Sequence, residues 1–169
     1  MSYTYSKIAT YTVDSGGIPS VSFLNIPQTY TDLVIKTSIK TTSTGAGNGV
    51  FISLNGSSTS FSRRILYGDG STAASASASD GGIGVINGTT ETASTFSSTD
   101  IYITNYTSSN YKSLSSDSVM ENNATASYAI LYASLWSNTS AVTSITLTPG
   151  VGSFAQYTTF HLYGIKAEL

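Results

Sequence analysis

Short runs of alternating apolar and polar residues, each ended by a turn signal, recur along the whole of this 169-residue chain. In the run "LVIKTSI" at 33–39, the aliphatic side chains at positions 33, 35 and 39 share one side and Lys36 lies on the other. Successive side chains of a strand point to opposite faces, so this period of two predicts half-buried strands. A following run ends at Asn55-Gly56, a dipeptide typical of tight β-hairpins because it accepts positive φ.

The pattern as a whole predicts about ten short strands and no helix, at a spacing of about 8 to 15 residues. We therefore expect an all-β protein, an antiparallel β-sandwich or jelly roll, in a single domain covering residues 1–169. The segment "GDGSTAASASASDGG" at 68–82 has almost no apolar side chains. We predict that it is a flexible surface loop.

Two later segments carry their own predictions. The run "ASYAILYASLW" at 126–136 is apolar on both sides, which indicates a strand buried on both faces. The last run, "FHLYGI" at 160–165, alternates almost to the end of the chain and predicts a C-terminal strand held within a sheet. Gly164 inside that strand suggests a bulge or a close neighbouring backbone.

The chain has few charged residues and many hydroxyl-bearing ones. Charged residues make up 9% of the chain, against about 25% in a typical domain, and Ser and Thr together make up roughly a third. The net charge of −2 provides no basic surface for nucleic acid. No apolar run is long enough for a transmembrane helix, and the N-terminus does not resemble a Sec signal. We expect no nucleic-acid or membrane partner, and synthesis in the cytoplasm without a signal peptide.

The residue types needed for catalysis or metal binding are few. There is no cysteine, and His161 is the sole histidine, in a strand-like context without a nucleophile motif. The nine carboxylates are scattered singly, mostly beside turn residues, although a pair brought together by folding stays open. "GDGS" at 68–71 and "SDGG" at 79–82 offer oxygen ligands for Ca²⁺, but a flexible turn is the favoured interpretation. We predict no enzyme activity, no catalytic or metal site, and no cofactor.

Arg63-Arg64 interrupts an otherwise uncharged strand. Its two side chains must point to opposite faces, so one guanidinium faces the inner or interface side and needs a carboxylate or carbonyl partner. The alternative is a solvated strand edge that discourages pairing. We take Arg63, Arg64, His161 and Tyr163 as candidate interface residues.

Trp136 follows a run rich in Ala, Leu and Tyr. We favour a place in the core, because the flanking small and apolar residues are typical of packed positions. The alternative is a sugar-stacking platform formed with Tyr128 and Tyr132.

Three segments resemble β-rich virion proteins of tailed bacteriophages. They are "FLNIPQTYTDLVI" at 23–35, the Asn55-Gly56 hairpin, and residues 135–169, in which the closing "F-x-LYGI" motif is the most specific part. The family includes small head-decoration (cement) proteins and terminal modules of tail fibres. The resemblance implies a jelly-roll-like sandwich without enzymatic activity, usually assembled as a homotrimer.

The expected function is therefore that of a capsid decoration protein, a structural protein on the virion surface that clamps the major capsid protein. The start at Met1 and the lack of a shaft repeat favour decoration over a fibre tip. The alternative is a receptor- or carbohydrate-binding module of the phage tail, whose partner would be a host surface glycan.

Overall fold

The computed structural model describes residues 3–45, 47–123 and 127–167, and these form twelve strands. They are β1 (Tyr3–Thr12), β2 (Val21–Phe23), β3 (Asp32–Ile39), β4 (Asn48–Leu54), β5 (Phe61–Gly68), β6 (Ala73–Ala78), β7 (Gly82–Ile86), β8 (Ser97–Ile103), β9 (Lys112–Met120), β10 (Tyr128–Trp136), β11 (Ile145–Pro149) and β12 (Thr159–Ala167).

Every pairing between these strands is antiparallel. Eight strands form one sheet in the order β1-β12-β3-β8-β9-β10-β5-β6, and four form a second sheet in the order β2-β11-β4-β7. The predicted all-β antiparallel sandwich is confirmed, with twelve strands where about ten were expected.

The core lies between the two sheets and is built from the alternating aliphatic residues of both. Leu33, Ile35 and Ile39 of β3 are fully buried there, as their spacing predicts. Trp136 is also buried, with its ring stacked on Phe61 at a centroid distance of 6.3 Å. Of the two interpretations of Trp136, the core one is correct.

The C-terminal strand β12 is an interior strand, paired with β1 on one side and β3 on the other. Gly164 lies on its inner face, where a Cβ would come within 2.3 Å of the Tyr30 ring. The glycine is therefore required by the close approach of a side-chain ring, and not of a neighbouring backbone as the sequence suggested. The bulge is in the neighbouring strand β1, where the register shifts between Lys7 and Ala9.

Two predictions are wrong. The segment 68–82 is not a loop throughout, because residues 73–78 form β6 through backbone pairing with β5, which needs no apolar side chains. β10 is not buried on both faces. Its residues alternate between buried and exposed positions, and Leu131 is 57% exposed, because none of the described elements covers that side of the larger sheet.

We expect Gly164→Ala to lower the free energy of unfolding by about 1–3 kcal/mol, because the added methyl group displaces the Tyr30 ring in a packed core. Gly68→Ala is the matched control. A Cβ at Gly68 meets its nearest neighbour at 3.7 Å, so this variant should be close to neutral. Urea titrations of the three proteins measure the difference. Equal midpoints for the two variants would contradict the packing role of Gly164.

Candidate functional site

The side of the eight-stranded sheet that faces away from the smaller sheet is here called the outer face. One row of cross-strand partners spans all eight strands. From β1 to β6 it consists of Thr10, His161, Lys36, Asp100, Asp117, Leu131, Leu66 and Ser75. Directly opposed residues of paired strands lie on the same face, so these side chains are neighbours. The row is polar at its β1 end and apolar toward β6.

The polar half is organised around one ion pair. Lys36 Nζ contacts the Asp100 carboxylate, and this hydrogen bond raises the pKa of Lys36 against the opposing effect of its partial burial. Asp117 stands directly across from Asp100, and two like charges in such a pair repel. The ammonium group of Lys36 offsets part of that repulsion. His161 follows in the row, with its Nδ1 and the Thr10 Oγ1 3.1 Å apart in a hydrogen bond.

A shallow depression of about 390 Å³ lies over this half of the outer face. Tyr5, Lys36, Asp100, Asp117 and Leu131 are among the residues that line it. Tyr5 is 55% exposed and meets the Tyr163 ring edge-on, with centroids 6.3 Å apart. The depression thus combines an accessible aromatic ring, a cation and two carboxylates.

The other half of the outer face is apolar and exposed. Leu66, Val119 and Leu131, here called the apolar patch, are 56%, 48% and 57% exposed. Leu66 and Leu131 are directly opposed across β5 and β10, and a second depression of about 420 Å³ lies over all three. Contiguous exposed aliphatic side chains on a sheet face are typical of an interaction surface.

The two arginines point to opposite sides of β5, as predicted. The guanidinium of Arg63 lies on the inner side, where Nε is 2.6 Å from Asp80 Oδ1 and Nη2 donates a 3.1 Å hydrogen bond to Oδ2. It also lies 5.5 Å from the centre of the Tyr132 ring. A Cβ at Gly82 would meet this guanidinium at 2.6 Å, so the glycine makes room for it. Arg63 therefore has its carboxylate partner within the fold.

The Arg63–Asp80 pair lies in a partly buried environment. Burial raises the pKa of Asp80, but the hydrogen bonds from Arg63 and the Gly82 N–H outweigh it and lower the pKa overall. Burial raises the pKa of the neighbouring Tyr132, which stays neutral over Arg63. This cluster holds the β6–β7 connection against β5.

The four candidate interface residues are not brought together. His161 and Tyr163 are two residues apart on the outer face of β12, whereas Arg64 reaches the same face from β5. Five strand spacings separate β12 from β5, about 24 Å. Arg63 lies on the inner side. Their role as interface residues stays a prediction.

Sequence reasoning missed the residues that do share a surface, namely the Lys36–Asp100–Asp117 group and the apolar patch. Their proximity depends on the register of β3, β8, β9 and β10, which no local pattern encodes. Leu66 and Leu131 each occupy an alternating position opposite the core-facing residues, and that signal could have indicated an exposed aliphatic pair.

The segment 68–71 is the first of the two considered as sources of Ca²⁺ ligands. Its carboxylate, Asp69, is hydrogen-bonded within its own turn. The Asp69 carboxylate accepts bonds from the backbone N–H and hydroxyl groups of Ser71 and Thr72, which hold its pKa well below the usual range. Across residues 3–45, 47–123 and 127–167, no three His, Asp or Glu side chains form a group that could hold a metal ion. The same residues include no helix suited to crossing a membrane.

No protein-family model matches the sequence, and no curated protein matches it.

We expect Asp80→Asn to lower stability at neutral pH by removing the partner of Arg63. The folded-state pKa of Asp80 is lowered, so the ion pair contributes stability above the ordinary carboxyl pKa of about 4, and this contribution is lost as the pH falls through the lowered value. The stability difference between wild type and Asp80→Asn should therefore be constant from about pH 5 to 7 and shrink below about pH 4.

Urea denaturation at several pH values measures this difference. Asp14→Asn, at an exposed position, is the matched control for loss of one negative charge. A difference that grows as the pH falls would show that Asp80 does not stabilise the fold as an anion.

Proposed function

We propose that this protein is a structural virion protein of a tailed phage, a capsid decoration protein that stabilises the head through protein–protein contacts. It acts by presenting a broad, weakly charged sheet face rather than by chemistry. The observation that carries the proposal is the apolar patch on the outer face of the eight-stranded sheet. The resemblance of residues 135–169 to phage virion proteins supplies the biological setting.

The order of the strands supports a jelly-roll origin for the sandwich. If the hairpins β5–β6 and β9–β10 are set aside as insertions, eight strands remain in two sheets ordered β1-β12-β3-β8 and β2-β11-β4-β7. The chain then crosses between the sheets at every connection except the one from β4 to β7, which are neighbours. A double sheet of eight strands wound in this way is the jelly-roll arrangement, which occurs in viral capsid and lectin domains.

The inserted hairpins extend one sheet and carry the apolar patch. Leu66 lies on β5, Val119 on β9 and Leu131 on β10, so the proposed binding residues all belong to the additions. Interfaces are depleted of charged residues at their centre. Ala73 and Ala129 flank these three residues, and Asp117 is the charged side chain in the lining of the same depression, which places it at the rim of the proposed contact. The proposed partners are the major capsid protein and further copies of this chain. Repeated contacts around a closed shell would turn weak individual binding into stable decoration.

We expect Leu131→Glu to lower the number of copies per purified phage particle by about tenfold, because a charge replaces an anchor at the centre of the contact. Its fold should be unaffected, since Leu131 is exposed. Val151→Glu is the matched control, because Val151 is 52% exposed and lies in the connection between β11 and β12. Quantitative mass spectrometry of particles gives the copy number.

The wild-type count separates head from tail. Attachment to the head requires on the order of hundreds of copies, as repeated contacts across a closed shell imply, whereas about a dozen would place the protein in the tail. Equal incorporation of Leu131→Glu and Val151→Glu would contradict the role of the apolar patch.

The second candidate function is carbohydrate binding by a tail module. The depression beside Tyr5 favours it, because an exposed tyrosine face stacks on the apolar side of a sugar ring, and carboxylates accept hydrogen bonds from sugar hydroxyls. Lys36, Asp100 and Asp117 are placed at the floor of this depression for such contacts. A host surface glycan would be the ligand.

A glycan microarray tests this function directly. Carbohydrate binding predicts a wild-type signal for one class of glycan that Tyr5→Ala lowers by about tenfold, through loss of the stacking surface. Tyr157→Ala is the matched control, because Tyr157 is 68% exposed and lies outside the depression. An array without signal, or equal losses in both variants, would reject the depression as a sugar site.

A further inference from the structure

Within the described part of the chain, the two sheets have four edge strands, and three of these are protected against pairing with another chain. β1 carries a bulge between Lys7 and Ala9, and Lys7 is exposed on it. β2 is three residues long. Short length, lysine and bulges are the common devices that keep an edge from adding a further strand.

The edge of β7 is covered by the facing sheet. Ser116 Oγ donates a 2.7 Å hydrogen bond to the Ile83 carbonyl, and the Val85 N–H donates to Ser118 Oγ at 3.0 Å. All five residues of β7 are buried. Hydroxyls from β9 thus take the place of a neighbouring strand along this edge.

The fourth edge strand, β6, differs from the other three. Its sequence, AASASA, has no charge, no proline and no side chain larger than serine, and its register with β5 is continuous over six residues. All six residues are exposed or half-exposed. An uncovered edge of this kind presents a row of backbone donors and acceptors to any strand that approaches.

The sequence of β6 is complementary to itself. Residues 74–78 read Ala-Ser-Ala-Ser-Ala, which is a palindrome about Ala76. In an antiparallel pair related by a two-fold axis at Ala76, Ser75 of each copy stands opposite Ser77 of the other. Ser75 and Ser77 are opposed to Leu66 and Arg64 of β5, so they lie on the outer face. Paired serines can exchange hydrogen bonds there, while alanines meet alanines on the inner side.

We propose that β6 pairs antiparallel with β6 of a second copy of this chain, about a two-fold axis through Ala76, so that the two eight-stranded sheets become continuous. Small side chains let the two strands approach without steric obstruction. Because the axis is perpendicular to the sheet, both outer faces lie on the same side, and the apolar patches of the two copies share one surface. This proposal rests on the open edge and the sequence of β6, and it does not depend on the proposed function as a virion protein.

Charge substitutions on the outer face of β6 test both the edge and the register. In Ser75→Lys/Ser77→Lys, the two new lysines of one copy face those of the other, and repulsion should weaken dimerisation by about tenfold or more. In Ser75→Lys/Ser77→Glu, the new lysine of each copy faces the new glutamate of the other, so dimerisation should return to at least the wild-type strength. Thr107→Lys/Ser109→Lys adds two lysines at exposed positions away from β6 and is the matched control.

Light scattering coupled to size-exclusion chromatography, over a series of concentrations, measures the mass. Wild type, the control and the Lys/Glu variant should have twice the 17.6 kDa mass of one chain, and the Lys/Lys variant should dissociate. Circular dichroism of each variant checks that the sandwich is folded. The exposed positions of Ser75 and Ser77 make folding of these variants the expectation.

Three outcomes would overturn the proposal. If the wild-type protein has the mass of one chain at every concentration, β6 does not pair with a second copy. Its open edge would then be available to an extended segment of a different partner. An oligomer, dimer or trimer, that the Lys/Lys variant does not weaken uses another surface. Dissociation of the Lys/Glu variant together with the Lys/Lys variant excludes pairing centred on Ala76.

Discussion

Most of the inner face of the eight-stranded sheet, β6 excepted, is buried against a sheet with half as many strands, and this single contact determines most of what the rest of the molecule presents. It brings the sheets so close at β7 that a Cβ at Gly84 would meet Thr99 Oγ1 at 2.7 Å. There, hydroxyls of β9 bond the backbone of β7 directly. The same contact leaves the other side of the larger sheet uncovered by the elements that the structure describes.

That uncovered side differs from one part of the sheet to another. The polar row of His161, Lys36, Asp100 and Asp117 crosses β12, β3, β8 and β9, while the apolar patch lies on β9, β10 and β5. Because charged residues make up only 9% of the chain, contact of the apolar patch with a partner would require little desolvation of charged groups. Both candidate functions use this face, one through its apolar half and one through the depression near Tyr5.

The edge strands of the two sheets also differ from one another. Three of the four described edges are closed by a bulge, by short length or by hydroxyls, whereas β6 stays open. The open edge adjoins the strand that carries Leu66, so pairing between copies and binding through the apolar patch would occur on adjacent parts of one surface. A contact that joins two copies would link two apolar patches, so that binding of one patch to a common partner raises the effective concentration of the other.

The sequence by itself determined the all-β class, the positions of most strands, the burial of residues such as Leu33 and Trp136, and the division of Arg63 and Arg64 between two faces. These follow from side-chain alternation, which is a local property of a strand. Only the tertiary structure decided which strands are neighbours, and therefore that Lys36, Asp100 and Asp117 form one row and that β10 is covered on one face. It also decided that residues 73–78 form a strand. This strand pairs with β5 through backbone hydrogen bonds, which require no apolar side chains and so leave no alternating pattern in the sequence. Register and coverage depend on contacts between residues far apart in the chain, and no alternation within a single segment can specify them.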